Sequence, residues 1–318
     1  MNLGQIRSIL KVWMLPIAMM GGIVFHNAIG YLSVLSPYLI GIMLFITYCR
    51  LNIKEIRITR LSGSLIIFQI FGSLLLYFLL LPFGNAIAQA AFICVFCPTA
   101  TAAPVITGML GGSVPRLVTY SLVSNFAVAI LAPVFFTLMD SHGHSDDLSF
   151  WHVTALISLK VIPLILGPLA LAQILKYFAP RTRTLIAEHQ NLSFYIWAVS
   201  LFIVVGNAVS YVISHIGTPG AEASLMISIS LVSLFACCAQ FYVGRKIGIV
   251  CGDKIAGAQG LGQKNTVLAI WMALSFLNPV SSIGPAAYVA WQNTINSIQL
   301  WLKSKKEHQL NELTPRSQ

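Results

Sequence analysis

Long, uninterrupted apolar stretches separated by short polar connectors make up most of the chain. Ten such stretches lie at approximately residues 11–30, 33–49, 61–81, 86–111, 116–139, 152–176, 191–213, 223–243, 254–277 and 284–302. A helix needs about 20 apolar residues to cross the hydrocarbon core of a bilayer. Because lipid offers backbone groups no hydrogen-bond partner, each stretch is expected to be helical. The pattern predicts an all-α polytopic membrane protein with ten transmembrane helices.

The composition excludes the main soluble classes. Hydrophobic residues make up 57% of the chain and charged residues only 9%, whereas a soluble domain carries about a quarter charged residues. Too few ionic side chains remain to cover a surface that faces water. We therefore expect neither a cytosolic enzyme nor a partner nucleic acid, despite the formal net charge of +10.

The positions of lysine and arginine predict the orientation in the membrane. With the N-terminus placed in the cytoplasm, 17 of the 19 cations fall on that side of the ten predicted spans, and the opposite connectors carry none. This is the asymmetry that the positive-inside rule describes. Both termini are expected to be cytoplasmic, and the positive face favours contact with anionic membrane lipid.

Two of the apolar stretches are interrupted by residues that break helices. In the fourth, Pro98 and Pro104 bracket small and hydroxylated residues, and each proline removes a backbone donor and clashes with the preceding turn. The second half of this helix is expected to begin near Thr101, with free N–H groups of the kind that bind anions. In the ninth stretch, the glycine-rich polar run at 257–265 indicates a second unwound segment.

The two interruptions occupy matching places in the two halves of the chain. Residues 103–107 and 265–269 are offset by about half its length. Five spans per half is an odd number, so the halves should have inverted topology, and matched interruptions in inverted repeats are typical of a transporter's binding site. We predict a first five-helix repeat at 1–150, a second at 151–302 and a cytoplasmic tail at 303–318.

Lys160 and Lys264 are the two cations that fall inside predicted spans, and all nine acidic residues lie in connectors, at span ends or in the tail. A lysine at mid-bilayer costs about 2.5–3.5 kcal/mol on insertion scales, so it needs a partner. One candidate is a bound anion, which requires that Lys264 face a solvent-reachable cavity. The other is a structural role, in which the lysine caps the carbonyls of a broken helix.

Residues around both interruptions resemble the bile acid:sodium symporter family. Residues 97–107 resemble its fourth-helix segment C-P-G-G-T-A-S-N-V-I-T, and residues 262–269 resemble its ninth-helix segment E-x-G-x-Q-N-x-x-L-A. Leu131-Ala132-Pro133 and Trp291-x-Asn293 also fit, and the resemblance covers essentially the whole chain. It identifies a divergent, bacterial-type member located in the inner membrane.

The resemblance implies a fold and a function. The fold has a panel domain of spans 1, 2, 6 and 7 and a core domain of spans 3–5 and 8–10, in which broken helices 4 and 9 cross. The function is secondary transport of an organic anion, such as a bile acid, a sulfated steroid or a small carboxylate, by alternating access.

The chain departs from this family at the sodium ligands. The family's acid falls on Gly260, its glutamine on Lys264 and its Ser-Asn pair on Ala103-Pro104. An ammonium at this place would repel a sodium ion. We therefore expect no cofactor and sodium-independent transport, with Lys264 replacing the coupling cation and protons as a candidate coupling ion.

The predicted substrate-binding site is centred on Lys264, which would pair with the charge of the anion. Thr101 and Ala102 would offer the N–H groups of a half-helix. The remaining predicted site residues are Gln263 beside the lysine, Asn265 and Asn293 at polar cavity positions of the family, and Lys160 on the opposite wall of the cavity.

Other functions are weaker predictions from the sequence. A membrane enzyme would need an intramembrane catalytic constellation, and the sequence contains none of the usual motifs. A conventional sodium:organic-anion symporter and a non-transporting anion sensor or channel remain as alternatives. Cys94 and Cys97 are interpreted as packing residues, and the loop with His142 and His144 as a solvated connector. The sequence does not define the substrate, the transport direction or the oligomeric state.

Overall fold

The computed structural model describes residues 14, 17–51, 57–139, 149–188, 190–215 and 219–313. Within these ranges the secondary structure is helical apart from one isolated bridge. The helices are α1 (residues 17–24), α2 (His26–Ile29), α3 (Ser36–Cys49), α4 (Arg60–Leu80), α5 (Asn85–Phe96), α6 (Ala103–Leu110), α7 (Val114–Met139), α8 (Phe150–Phe178), α9 (Pro180–Glu188), α10 (Gln190–His215), α11 (Pro219–Val250), α12 (Lys254–Gly262), α13 (Thr266–Phe276) and α14 (Ile283–Leu313). The start of the predicted first span, the loop with His142 and His144, and residues 314–318 lie outside the described residues.

Among the residues that the structure describes, five helical segments are long and apolar enough to cross a membrane. They are Tyr31–Cys49, Arg60–Phe83, Val114–Met139, Phe150–Phe178 and Ala223–Val250. Shorter apolar helices cover Asn85–Phe96, Tyr195–Ser210 and Thr266–Phe276. The prediction of an all-helical polytopic membrane protein is confirmed.

Both predicted interruptions are present, and they leave short gaps between half-helices. One gap separates α5 from α6, and the other separates α12 from α13. The second half-helix of the first pair, α6, begins at Ala103. This is two residues after Thr101, near which it was predicted to begin. Pro104 lies in the first turn of α6, where its missing N–H costs nothing, so the helix begins immediately before it.

Polar side chains determine where several helices begin. The Thr59 hydroxyl accepts a hydrogen bond from the Ser62 amide at the start of α4. At the start of α12, the carboxylate of Asp253 accepts from the Ala256 amide. At the start of α13, the side-chain oxygen of Asn265 accepts from the Leu268 amide. Such caps satisfy amides that have no partner within the helix.

α11 and α12 lie against each other with their backbones in close approach. Gly244 and Gly248, one turn apart on α11, face Gly257 on α12. A Cβ atom added at Gly257 would overlap the carbonyl oxygen of Gly244 and the backbone of Gly248. Small residues four apart are a common means of close helix packing in membranes, and here they hold α12 against its neighbour.

The remaining helices surround the two gaps. α5 packs against α4, α11 and α14, whereas α3 packs against α8 and α10. Aromatic side chains fill the space around α5, where the rings of Phe92 and Phe96 stack with centroids 4.9 Å apart. α14 continues to Leu313 and thus extends through much of the predicted tail at 303–318, which is rich in strong helix formers such as lysine, glutamate and glutamine.

Candidate functional site

The gap between α5 and α6 and the gap between α12 and α13 cross each other inside the protein. We call residues 97–102 and 263–265 the crossing. Their backbones pair through the bridge Thr99–Lys264 and through hydrogen bonds from the Ala100 amide to the Gln263 carbonyl (2.9 Å) and from the Asn265 amide to the Pro98 carbonyl (2.8 Å). Each unwound segment therefore supplies partners for backbone groups that the other segment could not satisfy alone.

Lys264 fixes the end of α5. Its ammonium donates hydrogen bonds to the carbonyl oxygens of Val95 (2.8 Å) and Cys97 (3.0 Å), and only 1% of the residue is exposed. Among the described residues, no carboxylate lies within ion-pair distance of the ammonium. The expectation that Lys264 faces a solvent-reachable cavity is therefore wrong, and the geometry is that of the alternative role, a lysine that caps carbonyls of a broken helix.

A second side chain also satisfies carbonyls at the end of α5. The Gln69 amide on α4 donates to the carbonyl oxygens of Phe96 (2.6 Å) and Cys97 (3.3 Å). Its own oxygen accepts from the hydroxyls of Tyr120 (2.7 Å) and Ser124 (2.8 Å) on α7. All of these groups are buried, so α4 and α7 are tied to the same helix end.

Residues of α11 and α14 complete the network on the other side of the crossing. Gln292 accepts from the Lys264 amide at 2.8 Å, and the Tyr288 hydroxyl donates to the Gly262 carbonyl at 2.9 Å. Gln240 donates both to the Tyr288 hydroxyl (2.9 Å) and to the Cys94 carbonyl (3.2 Å). A connected set of buried hydrogen bonds of this kind specifies one packing arrangement.

The predicted site residues divide into those at the crossing and those away from it. Gln263 and Asn265 lie at the crossing and are 3% exposed, and Thr101 and Ala102 are half-buried in its other segment. Asn293 donates to the Val289 carbonyl of its own helix. Lys160 is exposed on α8.

Three polar side-chain atoms between residues 263 and 266, at the end of the crossing and the start of α13, are buried. None of them has a hydrogen-bond partner among the described residues. They are Gln263 Oε1, Asn265 Nδ2 and Thr266 Oγ1. A buried polar group without a partner costs about 1–3 kcal/mol. Among the described residues, these atoms leave one acceptor, one donor and one hydroxyl without a partner.

Sequence reasoning missed the three glutamines that hold the crossing together. Gln69 and Gln240 stand among apolar residues, whereas Gln292 is followed by Asn293 and Thr294; each of the three glutamines is 1% exposed. A lone polar side chain in a membrane helix is expensive without a partner. That isolation marks Gln69 and Gln240, although it does not identify their partners, and Gln292 carries no such signal.

Comparison with known families finds a match to a family other than the one that the motifs resemble. The family model that matches is the serpentine type 7TM GPCR chemoreceptor Srz, over residues 117–244. No curated protein matches the chain. The matched residues make up under half of the chain and comprise most of α7, all of α8–α10 and most of α11.

This match contradicts several predictions made from the sequence. The resemblance to the bile acid:sodium symporter family is wrong, and with it the function as an organic-anion transporter and the organic anion as partner. The bacterial inner membrane is also wrong as the location, because the matched family is one of nematode-type receptors. The short motifs around the gaps consist largely of residues that break helices. Unrelated membrane proteins can share such residues wherever a transmembrane helix is interrupted. A receptor family is consistent with the prediction that the chain is not an enzyme.

Proposed function

We propose that this protein is a membrane receptor for a small molecule, as the serpentine chemoreceptors are by name. The observation that carries the proposal is the family match over residues 117–244. Tyr120, Ser124 and Gln240 all lie within the matched range, and all three belong to the hydrogen-bond network around the crossing. The matched helices are therefore in contact with the polar interior that a ligand would use.

The crossing is the proposed ligand-binding site. Gln263 Oε1 can accept a hydrogen bond and Asn265 Nδ2 can donate one, and neither has a partner in the described protein. The ammonium of Lys264 is already held by two carbonyls, so the ligand needs no negative charge. An uncharged small molecule with one donor and one acceptor fits these groups best.

Ligand binding at this place would be coupled to a movement of helices. Because Gln263 and Asn265 are 3% exposed, a ligand reaches them only in a conformation in which the crossing has opened. A ligand that binds this open conformation more tightly shifts the population towards it. We propose that this shift is the signal, and that a heterotrimeric G protein receives it.

Purified full-length protein in lipid nanodiscs, mixed with a heterotrimeric G protein, tests the proposal. A panel of small uncharged alcohols, ketones, amides and heterocycles is screened for a rise in Tm and for faster GTP exchange. Compounds that raise Tm are expected to speed exchange, and Asn265→Ala should lose both effects. Asn293→Ala is the matched control, because the Asn293 side chain bonds to its own helix. Stabilising compounds that leave exchange unchanged, or a panel without any stabilising compound, would contradict the receptor function.

We also propose that ten helices form two inverted five-helix repeats, at 1–150 and 151–302, followed by the tail at 303–318, of which residues 303–313 continue α14. Support comes from the pairs α5–α6 and α12–α13, which are interrupted at matching places and cross. In addition, α3 packs with α8 and α10, and α5 packs with α4, α11 and α14. These two groups of helices agree with the proposed panel and core domains. The matched family is named for seven spans, but the match covers residues 117–244 only, less than half of the chain.

An even number of spans places both termini on the same side of the membrane. Epitope tags at the two ends, probed with antibodies in intact and permeabilised cells, measure this directly. Tags on the same side would support the repeats. Tags on opposite sides, as an odd number such as seven spans requires, would overturn them while leaving the receptor function open to its own test.

A further inference from the structure

A cleft opens where the connection between α6 and α7 meets the connection between α11 and α12. Its volume is about 730 Å³. Both connections turn through a glycine with positive φ, Gly111 (+89°) and Gly252 (+80°). The two turns are joined, because the Ser113 amide donates to Asp253 Oδ2 at 2.8 Å. Two turns that line the cleft are therefore joined to each other by this hydrogen bond.

Positive charge dominates the lining of this cleft. Arg116 lines it from α7 and Lys254 from the start of α12. Asp253 is the one carboxylate among the lining residues, and both of its oxygens already accept backbone amides, those of Ser113 and Ala256. The guanidinium of Arg116 makes one long bond, 3.4 Å, to the Cys251 carbonyl. The lining residues thus carry an excess of one positive charge, and the carboxylate is turned towards the protein.

Apolar side chains lie beside these cations. Ile249 lines the cleft and is 56% exposed, and the neighbouring Val250 is 87% exposed. Both residues belong to the end of α11, a helix apolar enough to span the membrane. A ligand with a negative head and an apolar body would satisfy the cations and these side chains together, whereas a soluble anion would satisfy the cations alone.

We propose that this cleft binds the phosphate-bearing headgroup of an anionic phospholipid from the adjoining leaflet. The phosphate lies between Arg116 and Lys254, and the acyl chains descend along Ile249. Basic pockets between transmembrane helices are a recurrent kind of headgroup site. The site is separate from the crossing and does not depend on the proposed receptor function.

Thermal unfolding of the full chain in neutral detergent with phosphatidylcholine tests this assignment. Added phosphatidylglycerol is expected to raise Tm in a saturable manner. Arg116→Gln and Lys254→Gln should each weaken its apparent affinity about fivefold, which corresponds to about 1 kcal/mol per cation. Arg245→Gln removes the same charge from an exposed position on α11 that does not line the cleft, and it should leave the affinity unchanged.

Three outcomes would overturn the proposal. The first is a Tm that does not respond to phosphatidylglycerol, and the second is an equal weakening by all three substitutions, which indicates diffuse attraction. The third is stabilisation by soluble glycerol phosphate as strong as that by the lipid, because the acyl chains would then contribute nothing. If Arg116→Gln fails to fold without its bond to Cys251, the comparison of Lys254→Gln with Arg245→Gln decides.

Discussion

Thr99 and Lys264 form a backbone bridge, and their side chains bind in a reciprocal way. Thr99 binds α12, the helix that ends just before Lys264, and Lys264 binds α5, the helix that ends just before Thr99. The Thr99 hydroxyl donates to the Gly260 carbonyl in α12 at 2.9 Å, and the Lys264 ammonium donates to the Val95 carbonyl in α5 at 2.8 Å. The carbonyls at the end of a helix have no partner within it. In lipid, each interrupted helix therefore depends on the other for its ending.

Lys264→Met should destabilise the protein. The substitution leaves the carbonyls of Val95 and Cys97 without the ammonium that they bind, and the expected loss in the free energy of unfolding is about 1–3 kcal/mol. Chemical unfolding in mixed micelles measures it. Lys160→Met, at an exposed position on α8, leaves no carbonyl without a partner and should not destabilise the protein. Equal effects of the two substitutions would contradict the capping role.

Tyr120→Phe and Gln69→Leu should not be additive. Tyr120→Phe removes one of the two hydroxyls that the Gln69 oxygen accepts from, the other being that of Ser124. The expected loss is about 1 kcal/mol in the natural background. In the Gln69→Leu background the same change should cost less, because its partner is already absent. A double-mutant cycle on the free energy of unfolding gives the coupling, and a coupling of zero would rule out the proposed interaction.

Gly257→Ala should force α11 and α12 apart. The new methyl group would overlap the backbone of Gly244 and Gly248, and overpacking of this kind costs about 1–3 kcal/mol. Gly63→Ala in α4 is the matched control, because nothing lies within 4 Å of the added Cβ atom. That control should be stabilising by up to about 1 kcal/mol from helix propensity. If both substitutions stabilise the protein in thermal unfolding, the close contact is not maintained in the membrane.

Asp253→Ala should loosen the start of α12 together with the turn before α7. The carboxylate accepts from the Ala256 amide as an N-cap and from the Ser113 amide across the connection. Loss of a cap costs about 0.5–2 kcal/mol. Amide hydrogen exchange should accelerate at both Ser113 and Ala256. Acceleration at Ala256 alone would show that the two turns are not linked through this residue.

The helical architecture could be predicted from the sequence, and so could the two gaps. Apolar stretches of sufficient length can only be helices in lipid, and Pro98, Pro104 and the glycine-rich run at 257–265 indicated where the helices break. The helix start at Ala103 was missed by two residues, because the first turn of a helix tolerates the proline that was taken as a breaker.

The role of Lys264 could not be decided from the sequence. Both a bound anion and backbone carbonyls satisfy an ammonium, and the choice depends on which helix end lies within reach. That distance is a property of the crossing, whose two segments lie far apart in the chain. Gln69 was missed for the same reason, since an isolated glutamine in a membrane helix shows that a partner exists but not where it is.

At the contact of Gly244 and Gly248 with Gly257, no side chain lies between the backbones of α11 and α12. A displacement of α12 at this point is therefore expected to displace α11 as well.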